Sequence, residues 1–209
     1  MESRRNGLAS IHIAVLLFGL AGLFAKWVDL PAVIIVLGRV IFSSLFLWFL
    51  LKIKKERLRL LSGRDYLLMI TAGIVLAVHW TTFMQSIQTS TVAIGTLTFS
   101  TFPLFVTFLE PVLFREKIRL SSVVSAVIML CGVLFIVPEF QLGNTMTQGV
   151  VWGMTGSLSY AVLSLMNRKF MEKYTSSLTA FYEQATAGIV LLPSVFLLKP
   201  AVNGKDILV

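Results

Sequence analysis

Long apolar stretches alternate with short polar connections along the chain. Seven of these stretches are 17 to 24 residues long. At about 1.5 Å per residue, a helix of that length crosses roughly 30 Å of membrane hydrocarbon. The pattern therefore predicts an all-α integral membrane protein with seven transmembrane helices, numbered 1 to 7 in chain order. Their predicted bounds are 9–27, 30–51, 66–86, 91–114, 121–137, 149–166 and 178–198.

The composition agrees with a membrane environment. Charged residues make up 13% of the 209 residues and hydrophobic residues 56%, whereas about a quarter of a soluble protein is charged. The single cysteine, Cys131, excludes an intrachain disulfide and a cysteine-rich metal site. The chain also has only two histidines and no HExxH, GxSxG or phosphate-binding glycine loop. The sequence therefore predicts no enzyme, no metal site and no cofactor.

Basic residues collect in alternate connections. Of the 18 Lys and Arg residues, 14 lie before helix 1 or in the connections between helices 2 and 3, 4 and 5, and 6 and 7. Cytoplasmic loops carry the excess of positive charge. We therefore expect a multi-pass protein of the cytoplasmic (inner) membrane, with its N-terminus in the cytoplasm and the C-terminus of this chain outside. The net charge of +8 then reflects orientation in the bilayer and indicates no nucleic-acid partner.

Small and polar residues recur at helical spacing on two predicted helices. On helix 4, steps of four, three, four and three residues join Thr96, Ser100, Pro103, Thr107 and Glu110. On helix 6, the same steps join Gly153, Ser157, Tyr160, Ser164 and Asn167. Each stripe faces either a hydrated path or a neighbouring helix that small residues allow to approach closely. We assign five residues to helix packing: Gly19, Gly22, Gly149, Gly153 and Pro103.

Several ionisable residues lie inside predicted helices, where a charge costs at least about 2.5 to 3.5 kcal/mol, and three of them are candidates for the solute path. Arg39 in helix 2 cannot shed its charge, and Glu183 in helix 7 is flanked by Tyr182 and Gln184. His79 in helix 3 precedes Trp80. Each ionisable residue belongs either to a solute path or to a paired structural group within the bundle. Glu183 and His79 are the candidates to carry a coupling proton.

Two segments of the chain resemble each other five helices apart. They are LGRVIFSSLFLWFLLK in helix 2 and FYEQATAGIVLLPSVFLLK in helix 7. Aligning their Leu-Leu-Lys ends places Arg39 within two or three positions of Glu183 and Gln184. Because five is odd, the second copy must be inverted in the membrane, as in many secondary transporters. A pseudo-twofold axis would bring these polar positions towards the bundle centre.

Several stretches resemble the EamA type of the drug/metabolite transporter superfamily. STFPLFVTFLEPVLFREKIRLSSVVSAVIMLCGVLFIVP is similar to the family's fourth and fifth helices, and GLAGLFAK to the end of its first helix. Arg39 lies where that family commonly has an Arg in its second helix. GVVWGMTGSLSYAVLSLMNRKF resembles the opening of the family's second repeat.

The resemblance implies two inverted repeats of five helices. Residues 1–138 would be the complete first repeat, and residues 139–209 the first two helices of the second. The family pattern has ten helices, whereas this sequence predicts seven. We therefore expect a fragment, a product truncated after helix 7, or a chain that needs a partner. That partner would be a second copy in a homodimer or the missing C-terminal helices.

The leading hypothesis is a secondary transporter that exports small organic metabolites by alternating access. Its partners would be the lipid bilayer and a small solute, with a proton as the candidate coupling ion. The predicted solute path is formed by Arg39, His79, Trp80, Ser100, Thr107, Tyr160, Tyr182, Glu183 and Gln184. The alternative is a non-transporting membrane fragment or assembly partner whose polar faces serve only helix packing.

Overall fold

The computed structural model describes residues 12–13, 15–16, 20, 23, 25–115, 117–118, 120–136, 141 and 143–198. These residues contain helices and no strand, so the all-α prediction is confirmed. Residues 25–27 are helical and close the predicted helix 1. The helices with described bounds are α1 Ala32–Ile53, α2 Gly63–Thr89, α3 Val92–Phe99, α4 Phe102–Phe114, α5 Leu120–Ile136, α6 Thr145–Phe170, α7 Ser176–Leu191 and α8 Pro193–Leu198.

Five segments of the described chain are long and apolar enough to cross a membrane. α1, α2 and α6 are single helices and correspond to predicted helices 2, 3 and 6. Two further spans, Val92–Phe114 and Ser176–Leu198, each consist of two helices and correspond to predicted helices 4 and 7. α5, with 17 residues, is the shorter apolar helix predicted as helix 5.

In three helices, a capping side chain places the first residue before the start that the apolar pattern indicates. Ser62 accepts a hydrogen bond from the Asp65 backbone N–H at 3.2 Å and begins α2. Asn144 and Thr175 cap α6 and α7 in the same way. Each side chain satisfies one of the backbone donors that a helix start leaves without an intrahelical partner.

The predicted helix 4 is interrupted in the structure. α3 ends at Phe99 and α4 begins at Phe102, so Ser100 and Thr101 separate them. Pro103 lies in the first turn of α4, where its missing N–H breaks no helical hydrogen bond. Pro193 begins α8 after a second break at Leu192. The continuous helix predicted over 91–114 is therefore two helices joined by a proline-assisted break.

α2 is the central helix of the described bundle and contacts α1, α3, α6 and α7. Its packed face includes Met69, Ala72 and Ile87, none of which is exposed to solvent. Glycines of the neighbouring helix allow this approach: a Cβ built on Gly153 in α6 would lie 3.0 Å from Ser86 Oγ and overlap Thr98. A Cβ built on Gly149, also in α6, would overlap Ser90 and lie 3.3 Å from the Ser86 carbonyl oxygen.

Three connections, 54–62, 115–119 and 171–175, meet at one end of the bundle. An ion pair between Arg168 and Glu110 joins the ends of α6 and α4. Lys173 and Asp65, 3.3 Å apart, join the third connection to the start of α2. We call this the basic end, because these connections and the adjoining helix ends hold most of the Lys and Arg residues.

Candidate functional site

Arg39 lies inside the apolar span α1 and stacks on an aromatic ring. Its guanidinium carbon Cζ is 3.5 Å from the centroid of the Trp80 ring in α2. Arg39 is half-buried and Trp80 is buried. Stacking on an indole ring compensates part of the cost of removing a permanent cation from water, and the gain grows as the pair is desolvated. The contact explains how this helix tolerates an arginine.

Trp80 belongs to an aromatic cluster that joins four helices. We define the aromatic cluster as His79, Trp80, Phe83, Phe99, Phe102 and Tyr160. The His79 ring centroid lies 5.0 Å from Trp80, 5.3 Å from Phe99 and 4.9 Å from Tyr160. His79 Nδ1 lies 2.8 Å from the Gly156 carbonyl oxygen. A carbonyl oxygen only accepts, so Nδ1 carries the proton, and Nε2 is free to accept one in the neutral ring.

Glu183 in α7 forms a second polar region with little access to solvent. Its carboxyl interacts with the Asn167 side chain from the end of α6, and the residue is 6% exposed. Thr179 lies one helical turn before Glu183 and is 2% exposed. Within the described chain, four buried side-chain oxygens here have no hydrogen-bond partner: Asn167 Oδ1, Thr179 Oγ1, Glu183 Oε1 and Gln184 Oε1.

Arg39 and Glu183 lie at the same distance from the starts of their helices and form no ion pair with each other in the described structure. Arg39 lies seven residues after Ala32, the first residue of α1, and Glu183 seven residues after Ser176, the first of α7. α1 and α7 contact each other, with a Cβ built on Gly188 3.7 Å from Val40 Cγ2. The two ionisable groups therefore lie equally far from the starts of two helices that contact each other, and the described residues show no ion pair between them.

Three tyrosines hold the connection 54–62 against the basic end, and we call them the tyrosine clamp: Tyr66, Tyr174 and Tyr182. Tyr182 Oη donates to the Leu58 carbonyl at 2.7 Å. The backbone N–H groups of Leu60 and Leu61 donate to Tyr66 Oη at 3.1 Å and Tyr174 Oη at 2.9 Å. Leu58 and Leu60 pack into the core beneath the connection.

Tyr174 also joins the clamp to α2. Its hydroxyl donates to Asp65 Oδ2 at 2.7 Å. Burial, together with this hydrogen bond to a carboxylate, raises the pKa of Tyr174 above its usual value near 10. The hydroxyl therefore remains protonated, and remains a donor, throughout the neutral range.

The chain matches the family model described as the EamA-like transporter family over residues 5–137. It belongs to that family. It is also 27% identical over 200 residues to a Bacillus subtilis (strain 168) protein named uncharacterized transporter YxxF, covering 93% of this chain and 63% of that protein. The chain thus spans less than two thirds of that relative's length. No solved structure matches.

Family membership supports a multi-pass membrane protein of a transporter family and gives no indication of catalysis. In this EamA-like chain the structure brings four predicted path residues together: Arg39, His79, Trp80 and Tyr160. It places the predicted Tyr182, Glu183 and Gln184 together in α7, nearer the basic end. Gly19 and Gly22 lie outside the described residues.

The hydroxyl residues of the two stripes divide between packing and open surface. Ser157 is fully buried, 2.8 Å from Thr101 Oγ1, and donates to the Phe99 carbonyl at 3.2 Å. Ser100 is exposed and donates to the Thr96 carbonyl at 2.8 Å. Thr107 lies on the wall of a cavity at the basic end. Ser157 therefore serves packing in this conformation, and Ser100 lies exposed at the break between α3 and α4.

Several residues of these regions carry no sequence signal that would identify them. Phe99 and Phe102 join the aromatic cluster, yet a phenylalanine in an apolar stretch is equally typical of a lipid-facing position. Tyr66 and Tyr174 act through hydrogen bonds to a connection distant in sequence. No local sequence pattern indicates that these tyrosines bond to the connection 54–62. The basic residues of that connection indicate only that a helix ends there.

Proposed function

We propose that this chain forms the solute-binding part of a secondary transporter that exports small organic metabolites across the cytoplasmic membrane by alternating access. Residues 1–138 would form the first repeat and residues 139–209 the start of an inverted second repeat. Membership of the EamA-like family supports the transporter class.

The observation that carries the proposal is the Arg39 guanidinium stacked on Trp80 beside the aromatic cluster. An arginine inside a membrane helix is costly and usually faces a cavity or a ligand. Its planar fork of donors fits a carboxylate. Trp80 and Tyr160 would contact the apolar or aromatic part of the same solute, since both rings belong to the cluster beside Arg39.

Alternating access would open this region to each side of the membrane in turn. The matched positions of Arg39 and Glu183 in α1 and α7 support a two-repeat carrier, in which one repeat moves against the other. The tyrosine clamp would close the basic end in the conformation described. Glu183 and His79 are the groups proposed to carry a coupling proton.

The test replaces Arg39 in the protein reconstituted into proteoliposomes loaded with labelled amino acids, amines or sugars. We expect Arg39→Ala to lower efflux of a transported carboxylate at least tenfold, and Arg39→Lys to restore part of it, because lysine keeps the charge but loses the fork. Arg59→Ala, in an exposed part of the connection 54–62, is the matched control and should transport normally. Undiminished efflux by Arg39→Ala would remove Arg39 from the mechanism.

A further inference from the structure

A cavity of about 370 Å³ lies at the basic end between α4, α5 and the end of α6. Six residues form most of its wall: Thr107, Glu110, Lys117, Ile118, Ser122 and Arg168. The volume is within the range of small-ligand sites in proteins. The cavity is distinct from the aromatic cluster, because it shares no residue with the cluster.

The wall of this cavity carries one surplus positive charge. Arg168 forms an ion pair with Glu110, and its Cζ lies 4.5 Å from the centroid of the Phe114 ring. These two contacts hold the guanidinium at the wall. Lys117 supplies a second cation and forms no ion pair within the described chain. The Ser122 hydroxyl adds a neutral donor. The cavity therefore suits a ligand group with a single negative charge.

Exposed aliphatic side chains lie close in sequence to the residues of this wall. Val112 is 77% exposed, Leu113 60% and Leu120 78%, at the end of α4 and the start of α5. These positions adjoin the basic connections, where the spans end and the lipid headgroups begin. A free inorganic anion would leave this apolar rim unused. A ligand with an anionic head and aliphatic chains would contact both surfaces.

We propose that this cavity binds the phosphodiester headgroup of an anionic phospholipid, whose acyl chains lie along Val112, Leu113 and Leu120. A phosphodiester carries one negative charge, which matches the surplus of the wall, and basic pockets between membrane helices are suited to such headgroups. The headgroup bridges Lys117, just before α5, and Ser122, in α5, to Arg168 of α6. α5 has little other contact with the bundle beyond α4, so the lipid fastens this helix.

The test measures lipid binding by the purified protein in neutral detergent, by native mass spectrometry and by thermal unfolding. Phosphatidylglycerol should bind and raise the unfolding temperature, whereas phosphatidylcholine and inorganic phosphate at equal concentration should not. Lys117→Gln should weaken phosphatidylglycerol binding about fivefold, the effect of one basic residue near an anionic headgroup. Lys169→Gln removes the same charge beside Arg168 but outside the cavity wall, and it should bind as the unaltered protein does.

For Glu110→Gln we expect the opposite change in lipid affinity from that of Lys117→Gln. Removing this carboxylate raises the net positive charge of the cavity wall by one unit, so affinity for phosphatidylglycerol should rise about fivefold. Lys117 and Lys169 are both exposed, and circular dichroism verifies that the variants fold. Equal losses in Lys117→Gln and Lys169→Gln, equal binding of phosphatidylcholine, or weaker binding by Glu110→Gln would each overturn the proposal. An equal effect of inorganic phosphate would show that the site binds a free anion instead of a lipid, and would overturn it too.

Discussion

Two glycines in apolar helices have opposite surroundings. A Cβ built on Gly73 in α2 would lie 2.8 Å from Thr186 Cγ2 and 2.9 Å from the Glu183 backbone oxygen in α7. A Cβ built on Gly38 in α1 would meet nothing within 4 Å. Hydropathy treats the two glycines alike. Only the fold distinguishes the one that sets the distance between two helices from the one that faces open space.

This contrast predicts the stability of two alanine variants. Gly73→Ala should lower the free energy of unfolding by about 1–3 kcal/mol, because a backbone oxygen cannot move aside as a side chain can. Gly38→Ala should leave it unchanged or raise it by up to about 1 kcal/mol, because alanine favours the helix. Unfolding of both variants in the same detergent measures the difference. Equal destabilisation would contradict the close contact at Gly73.

At the scale of single elements, the apolar pattern predicted the order and type of the helices but not their ends. α2 begins at Gly63 and α6 at Thr145, several residues before the apolar stretches, because capping side chains extend each helix into polar sequence. The break before α4 was missed although Pro103 is visible in the sequence. A proline within an apolar stretch can end one helix, begin another or kink a continuous helix. Hydropathy does not distinguish these three cases.

The tyrosine clamp gives a prediction at the scale of one connection. Each tyrosine hydroxyl contributes a hydrogen bond worth about 0.5–1.5 kcal/mol. Tyr182→Phe should therefore increase opening of the connection 54–62 about fivefold. A cysteine at Leu60, which is 4% exposed, reports the opening by its rate of reaction with a membrane-impermeant thiol reagent in a Cys131→Ser background.

Tyr160→Phe is the matched control for the clamp. This substitution also removes one tyrosine hydroxyl, but from the one tyrosine of the chain outside the clamp, which lies in the aromatic cluster. The reaction rate at position 60 should not change in this variant. Equal acceleration in both variants would show that the opening is a general loosening of the bundle, and the clamp would have no specific role.

At the scale of the whole molecule, the site was predicted in part. Arg39, Trp80, His79 and Tyr160 were each identified by their chemistry, and the fold brings them together. Ser100 was placed with them because its spacing defines a stripe. Spacing shows that residues share a face, but it does not show which neighbour that face meets. Ser100 lies at the break between α3 and α4, where it is exposed and its hydroxyl donates to the Thr96 carbonyl of the preceding turn.

The arrangement of charge gives the last prediction. The fold brings three basic connections together at one end, although they are far apart in sequence. This clustering suits a single membrane surface, and an excess of Lys and Arg favours the cytoplasmic one. In a Cys131→Ser background, Lys54→Cys should therefore resist an impermeant maleimide in intact cells and react after permeabilisation. Gly143→Cys, before α6 at the opposite end, should react in both. Labelling of Lys54→Cys in intact cells would reverse the orientation, and would place the tyrosine clamp on the outer surface.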